Sequence, residues 1–350
     1  MTLQTAIDVL AKERAPAYRA RQLTHGVYSE LAGSWDEVTA LPRTLRERLE
    51  RDAPLRTLTE QASQRADDGT IKLQLRTHDG FPLEAVAMSH GPRRTVCLSS
   101  QSGCALACTF CATGRMGLGR NLTPEEISEQ LLRLARLLRD EQGARISNVV
   151  MMGMGEPFHN YDNVLAAIRS INAPDGFGLG ARQIAISTAG WIPGIDKLAE
   201  ESLQVKLALS LHAPDDELRT KLMPVTKRFP IADLMQACRR YRERTRRRVF
   251  VEYLLLAGVN DSTPQARQLA ALLRKGGPGA YHVNLIAYNP TGTEYVAADD
   301  AAVRRFRGEL EKGGIGASYR VSRGRGIEAA CGQLVMKGIP PRARATAAAG

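Results

Sequence analysis

From Thr95 onward the chain alternates short, almost uniformly apolar runs with longer stretches whose apolar residues recur every three to four positions. TVCLSS, ISNVVMM, QIAIST, VKLALSL, VFVEYLLL and YHVNLIA read as strands buried on both faces. The intervening stretches read as helices. The one at Pro124–Arg139 opens with Thr123 and Glu126 at capping-box spacing and a proline at the first helical position. Apolar strands separated by helices imply a parallel sheet joined by right-handed crossovers. Six such units predict an α/β fold, a partial (β/α)6-type barrel, with a doubly wound open sheet as the competing architecture.

The pattern differs before residue 94. APAYRARQLTHGVYSEL carries an apolar stripe and LPRTLRERLERD starts with a proline, so residues 1–65 read as a small helical accessory domain. TIKLQLR alternates in polarity, His78-Asp79-Gly80 signals a turn, and Pro82–Met88 returns as a second strand. A β-hairpin over 66–93 would therefore link the helices to a core domain over 94–336, followed by a basic, Ala-rich tail over 337–350. No apolar run approaches the roughly 18 residues of a membrane span, and the N-terminus lacks the apolar stretch of a signal peptide. The expectation is a cytoplasmic protein with no membrane partner.

Hydrophobic residues make up 43% of the chain and charged residues 24%, which excludes a disordered polymer. The net charge of +11 is unevenly placed. Residues 219–248 hold eleven Lys and Arg against two acids, residues 301–350 ten against three, and residues 1–60 nine of each. Concentrated positive charge suits a polyanion such as RNA or DNA. The competing reading is a solvated helix face, because Arg239–Arg248 itself looks helical.

Three of the six cysteines, Cys104, Cys108 and Cys111, form a C-x3-C-x2-C run after the first barrel strand. A structural zinc site wants four closed ligands. The next cysteine, Cys238, lies far away in a helix and reads as core; His159 or His212 could complete such a site. Three cysteines can alternatively hold three irons of a [4Fe–4S] cluster and leave the fourth iron open to a small molecule. Further polar motifs end other strands: Gly153–Pro157, Ser187-Thr188, Ser210-Leu211-His212 and Asn289-Pro290. Barrels of this kind place active sites at the carboxyl ends of their strands. Met151, Met152 and Met154 read as strand packing.

C-x3-C-x2-C with Phe110 before the last cysteine resembles the radical S-adenosylmethionine (SAM) superfamily. CLSSQSGCALACTFCATG, GRNLTPEEI, VVMMGMGEP, AISTAG, ALSLHAP, NLIAYNP and AACGQL, with PAYRARQLTHGVY near the N-terminus, together resemble the radical SAM adenine methyltransferases of ribosomal and transfer RNA, whose sister group methylates adenine C8. The resemblance implies one [4Fe–4S] cluster on Cys104, Cys108 and Cys111, and SAM used twice per turnover. It implies SAM contacts from Gly155 and Glu156, the latter receiving the ammonium group, and from Ser187, Ser210, Leu211, His212 and Asn289.

Carbon 2 or 8 of adenine is an amidine carbon without a nucleophilic lone pair, which explains the need for a radical. The family's route makes Cys331 the methyl carrier and Cys97 the resolving thiol that closes a transient disulfide. Glu84 falls at the position of the catalytic acid/base. An electron-donor protein such as a flavodoxin, a thioredoxin-like thiol reductant and an RNA substrate are the implied partners. Read without the resemblance, Cys97 and Cys331 are small core residues and Glu84 is a solvent-facing strand position. Where the adenine-C2 enzymes usually carry an acidic pair, this chain has Arg323-Gly324-Arg325, which adds positive charge before the reactive cysteine. Other readings are C8 methylation, radical SAM chemistry of another specificity, and a metal-stabilised RNA-binding protein.

Overall fold

The computed structural model describes residues 3–320 and 323–334; the basic tail at 337–350, with Arg342 and Arg344, lies outside the described residues. The N-terminal region comprises α1 (Gln4–Lys12), α2 (Tyr18–Thr24), a π turn at His25–Ser29 and α3 (Arg43–Asp52). Trp35 is fully buried there and donates its indole N–H to the Ala53 carbonyl at 2.8 Å. It shares one hydrophobic core with Leu10, Leu23 and Leu49, and that core continues into the barrel.

Residues 58–65, expected within the helical region, instead form strand β1 (Leu58–Arg65). Only Leu58 is buried, so neither a helical nor an alternating apolar period exists in this segment. Its conformation comes from antiparallel pairing with β2 (Ile71–Thr77). The expected hairpin is formed by β2 and β3 (Pro82–His90). It links the helices to the barrel by extending the barrel sheet, since β3 pairs antiparallel with β4 (Arg93–Cys97).

After β4 a small separate sheet of β5 (Gln101–Cys104) and β6 (Gly117–Asn121) flanks helix α4 (Ala112–Met116). Helix α5 (Pro124–Gln142) follows, and its capping box is present: Glu126 N donates to Thr123 Oγ1 at 3.3 Å, and Thr123 N to Glu126 Oε2 at 2.9 Å. The chain then runs through β7 (Asn148–Met151), α6 (Tyr161–Asn172), β8 (Ile184–Thr188), α7 (Ile192–Glu200), β9 (Lys206–Ser210) and α8 (Asp216–Leu222). It ends in α9 (Ile231–Thr245), β10 (Val249–Leu255), α10 (Thr263–Arg274), β11 (Tyr281–Ala287), α11 (Asp300–Lys312) and β12 (Ala317–Arg320).

The main sheet has the order β1-β2-β3-β4-β7-β8-β9-β10-β11-β12, parallel from β4 onward. β1 and β12 are its two edges, so the barrel is partial. All six expected strands are present. The additional parallel strand β12 is only four residues long, too short to carry a pattern. Register aligns Ser210, Glu252, Asn284 and Ser318 across β9 to β12. Asn284 Nδ2 donates to Glu252 Oε1 at 2.8 Å and Ser318 Oγ to Asn284 Oδ1 at 2.9 Å, so these side chains form one polar layer. No helix among the described residues is long and apolar enough to cross a membrane.

Candidate active site

The strand ends enclose a cavity of about 180 Å³, far larger than the roughly 10–15 Å³ that one water needs. Cys104, Cys108 and Cys111 line one side. Cys104 ends β5, and Gly103 before it has φ +76°; a Cβ there would sit 2.0 Å from the Gly117 carbonyl oxygen, so only glycine lets β6 pass this close. The loop closes where Cys111 N donates to the Cys108 carbonyl at 3.1 Å. Ala112 N donates to the Gly332 carbonyl at 2.8 Å and Thr113 Oγ1 to the Leu334 carbonyl at 2.6 Å, which docks the segment behind Cys331 on this loop.

Burial pushes the Cys104 thiol up to about 12 and raises Cys108 well above the ordinary range, with the neighbouring thiols adding to both. Such thiols ionise when a metal takes the place of the proton. Among the described residues no three His, Cys, Asp or Glu side chains converge closely enough to hold a single ion. Three free thiols around an open cavity, with no fourth protein ligand, fit a multi-iron cluster better than a mononuclear zinc site.

Glu156 lines the same cavity and is buried. Gly155 precedes it at φ +98°, where a Cβ would lie 2.5 Å from the Gln101 side chain. Gln101 Oε1 accepts from Glu156 N at 2.8 Å. The carboxylate accepts from Ala189 N at 2.8 Å and Phe158 N at 3.1 Å, yet burial lifts its pKa to about 7. A cation bound there would draw it back down.

Ser187 and Ser210, whose hydroxyls are 3.4 Å apart, also line the cavity. His212 joins them in a left-handed conformation at φ +58°. Its Nδ1 accepts from Leu254 N at 3.0 Å and its ring meets Phe110 edge-on at 5.0 Å. Burial first, then the charge of Arg219, holds the His212 pKa down to about 3, so the imidazole is neutral.

Other expected site residues stand behind this lining. The Leu211 side chain is buried, and its backbone N–H donates to the Glu252 carbonyl at 3.1 Å. Asn289 is buried too; its Nδ2 donates to the Cys331 carbonyl at 3.4 Å and its Oδ1 accepts from Arg325 Nε at 3.2 Å. Cys97 ends β4 at 7% exposure, opposite Val150 and Val86, and burial followed by the charge of Cys331 raises its pKa. Cys331 is open to the cavity, while the protein around it, then Glu252, raises its thiol pKa. All six cysteines are free.

Glu84 is fully buried on β3, outside the lining, 3.5 Å from Lys72 Nζ and accepting from Gln74 Nε2 at 2.9 Å. Cys238 is core, as expected. Met154 and Met151 are core and Met152 packs against it, in line with their reading as strand packing, and Met151 and Met152 also border the cavity. The cause is position: they sit at the carboxyl end of β7, where the strand row opens. His159 packs edge-on against Trp191 at 4.2 Å and is not part of the lining.

Three residues went unnoticed in the sequence. Glu252 is buried in the cavity wall and its Oε2 has no hydrogen-bond partner among the described residues. A charge inside VFVEYLLL was the available signal. Lys72 looked solvent-facing by alternation, yet it lies beneath the 323–331 segment, donating to the Glu328 carbonyl at 3.4 Å. Arg219 gave no signal beyond its place on an amphipathic helix.

The partial barrel and its three-thiol pocket define a radical SAM protein, and residues 98–270 match the model of the Radical SAM superfamily. A probable dual-specificity RNA methyltransferase RlmN of Chloroflexus aurantiacus is 47% identical over 95% of this chain and 90% of its own length. One from Thermus thermophilus is 46% identical over 96% and 94%. The crystal structure of a radical SAM methyltransferase from Sphaerobacter thermophilus superposes with a TM-score of 0.91 at 48% identity, covering 95% of this chain and 97% of that one. The chain belongs to the RlmN family.

Proposed function

We propose that this protein is an RNA methyltransferase that installs a methyl group on adenine carbon 2 of ribosomal and transfer RNA by radical SAM chemistry, through two cysteines outside the cluster. One observation carries the reading: Cys331 opens into the same cavity as Cys104, Cys108, Cys111 and Glu156, while Cys97 ends β4 opposite Val150, the residue before cavity-lining Met151. Relatives of the family bear the name dual-specificity RNA methyltransferase over nearly the whole chain.

Cys104, Cys108 and Cys111 would hold the [4Fe–4S] cluster. With SAM bound, the cluster supplies a carbon-centred radical on reduction. Glu156 would hold the SAM ammonium group through charge-assisted hydrogen bonding, and its neighbours Ser187, Ser210 and neutral His212 would orient the rest of the molecule. Gly155 permits the close approach to Gln101, while Leu211 and Asn289 act from behind the lining. As a thiolate, Cys331 would accept a methyl group from a first SAM and present it to the base. A second SAM serves the radical step.

Cys97 would then attack the Cys331 sulfur, releasing the methylated base and leaving a disulfide for a thiol reductant to reopen. Glu84, one strand behind Cys97 and paired to Lys72, would exchange the proton of the ring carbon once the adenine is engaged. A low-potential electron-donor protein such as a flavodoxin completes the set of partners.

The test uses anaerobically reconstituted protein, RNA and SAM. Cys97→Ala is expected to accumulate a covalent RNA–protein adduct, and Cys331→Ala to abolish both adduct and turnover. Wild-type turnover in either variant refutes the two-cysteine route, and mass spectrometry of the product nucleosides separates C2 from C8.

A further inference from the structure

Arg219 on α8 is fully buried, and its guanidinium makes four hydrogen bonds to neutral acceptors only. Nε donates to the Leu211 carbonyl at 3.1 Å, Nη2 to the carbonyls of Ala189 at 2.6 Å and Ser210 at 3.2 Å, and Nη1 to Thr226 Oγ1 at 2.9 Å. No carboxylate among the described residues lies within 4 Å of it. Asp216, one turn earlier, contributes some field, but its Oδ1 accepts from Ile231 N at 2.7 Å. Buried charges are ordinarily paired, because an uncompensated ion in low dielectric is costly.

Arg219 shares its helix with Leu218 and Leu222, which pack in the same apolar cluster as Cys108. Helix α8 is packed onto the cysteine loop: Thr109 N donates to the Leu222 carbonyl at 3.0 Å, and Leu218, Leu222 and Met223 share an apolar cluster with Cys108 and Phe110. A cubane held by three thiolates is a net anion, and gains one further negative charge when it takes up an electron.

We propose that Arg219 is the counter-charge of the iron–sulfur cluster, a positioning residue that acts through Cys108 to favour the reduced state. The proposal rests on the assignment of Cys104, Cys108 and Cys111 to a [4Fe–4S] cluster. One electron enters from a low-potential donor, no bond forms or breaks, and no proton moves. The fixed cation stabilises the added charge, and low dielectric magnifies the attraction. The alternative is a purely mechanical clamp that ties together the ends of β8 and β9.

Charge and clamp separate at Thr226. Thr226→Asp places a carboxylate on the guanidinium and neutralises it in place, whereas Thr226→Val breaks the same hydrogen bond without adding charge. Wild type, both Thr226 variants and Arg219→Gln are reconstituted with iron and sulfide under anaerobic conditions, and the iron is counted. Each is then titrated with dithionite while the reduced cluster is followed by electron paramagnetic resonance. At the potential where wild type is half reduced, Thr226→Asp and Arg219→Gln are expected to show an about ten-fold lower ratio of reduced to oxidised cluster. For one electron that corresponds to about 59 mV. Thr226→Val is expected to stay within about two-fold of wild type.

Identical titration of Thr226→Asp and wild type overturns the proposal, as does an equal shift in Thr226→Val. If Arg219→Gln fails to load iron, the Thr226 pair decides alone. A wild-type protein that takes up no four-iron cluster refutes the cluster assignment instead, a result distinct from a normal cluster with unmoved potentials.

Discussion

Between Arg239 and Arg248 five arginines bond carboxylates or carbonyls of neighbouring elements, whereas between Arg320 and Arg325 the hydrogen-bonded guanidinium groups meet the side chains of His90 and Asn289. Arg240 on α9 pairs in a two-pronged contact with Asp196 of α7 at 3.0 and 2.8 Å, and Arg244 pairs with Glu200. Arg242, Arg247 and Arg248 donate to the carbonyls of Gly276, Leu203 and Gly279. In the later stretch Arg325 reaches Asn289 and Arg323 reaches His90 at 3.0 Å, while the charge of Arg320 is felt at both Glu252 and Cys331. Positive charge in different parts of a chain therefore has unequal meaning. A guanidinium paired with a carboxylate of its own fold has much of its charge offset before a partner arrives. Arg240 and Arg244 are thus paired with carboxylates, whereas among the described residues no ion pair holds Arg320, Arg323 or Arg325, and this contrast favours the second group as the one that meets a polyanion.

The largest effect that would break this contrast concerns RNA binding. Arg323→Asp with Arg325→Asp is expected to weaken RNA affinity by on the order of ten-fold at low salt, and to lower the slope of log affinity against log salt by about one per lost phosphate contact. An unchanged slope removes both arginines from the interface.

Next in size is Arg320→Gln. Arg320 draws the Cys331 pKa down, so its removal raises that pKa, and the thiolate fraction falls at every pH below it. Peptide-resolved alkylation of Cys331 near pH 8 should slow several-fold; equal rates would show that Arg320 does not act on this thiol. The smallest effect sharpens the comparison from the other side. Arg240→Ala with Arg244→Ala is expected to leave RNA affinity within about two-fold and to cost no more than about 1 kcal/mol per exposed pair in denaturant unfolding. A large loss of binding there would return the basic helix to the RNA surface.

The barrel was legible because its strands are buried on both faces and its helices carry caps; Thr123 and Glu126 do in the structure what their spacing predicts. The cavity side of the site was legible as well. Cys104, Cys108, Cys111, Glu156, Ser187, Ser210 and His212 lie at or just after the carboxyl ends of strands, and the parallel strands deliver their ends to one place. β1 was not legible, since its polar residues take their form from a neighbouring strand. Lys72 was not singled out, because it is covered by Glu328, more than 230 positions later in the chain, a contact that periodicity cannot reveal. Arg219 was hidden too: three of its four acceptors are carbonyls, and every residue has one.

The segment that carries Cys331 has no helix or strand of its own after the short turn at Arg325–Ile327. It takes its place from Ala112 and Thr113, the two residues directly after Cys111. Inserting or deleting a residue on either side of that seam would shift one reactive sulfur relative to the other three. The two distant parts of the gene are thus constrained to vary in concert, like the halves of a hinge pin cut from one bar.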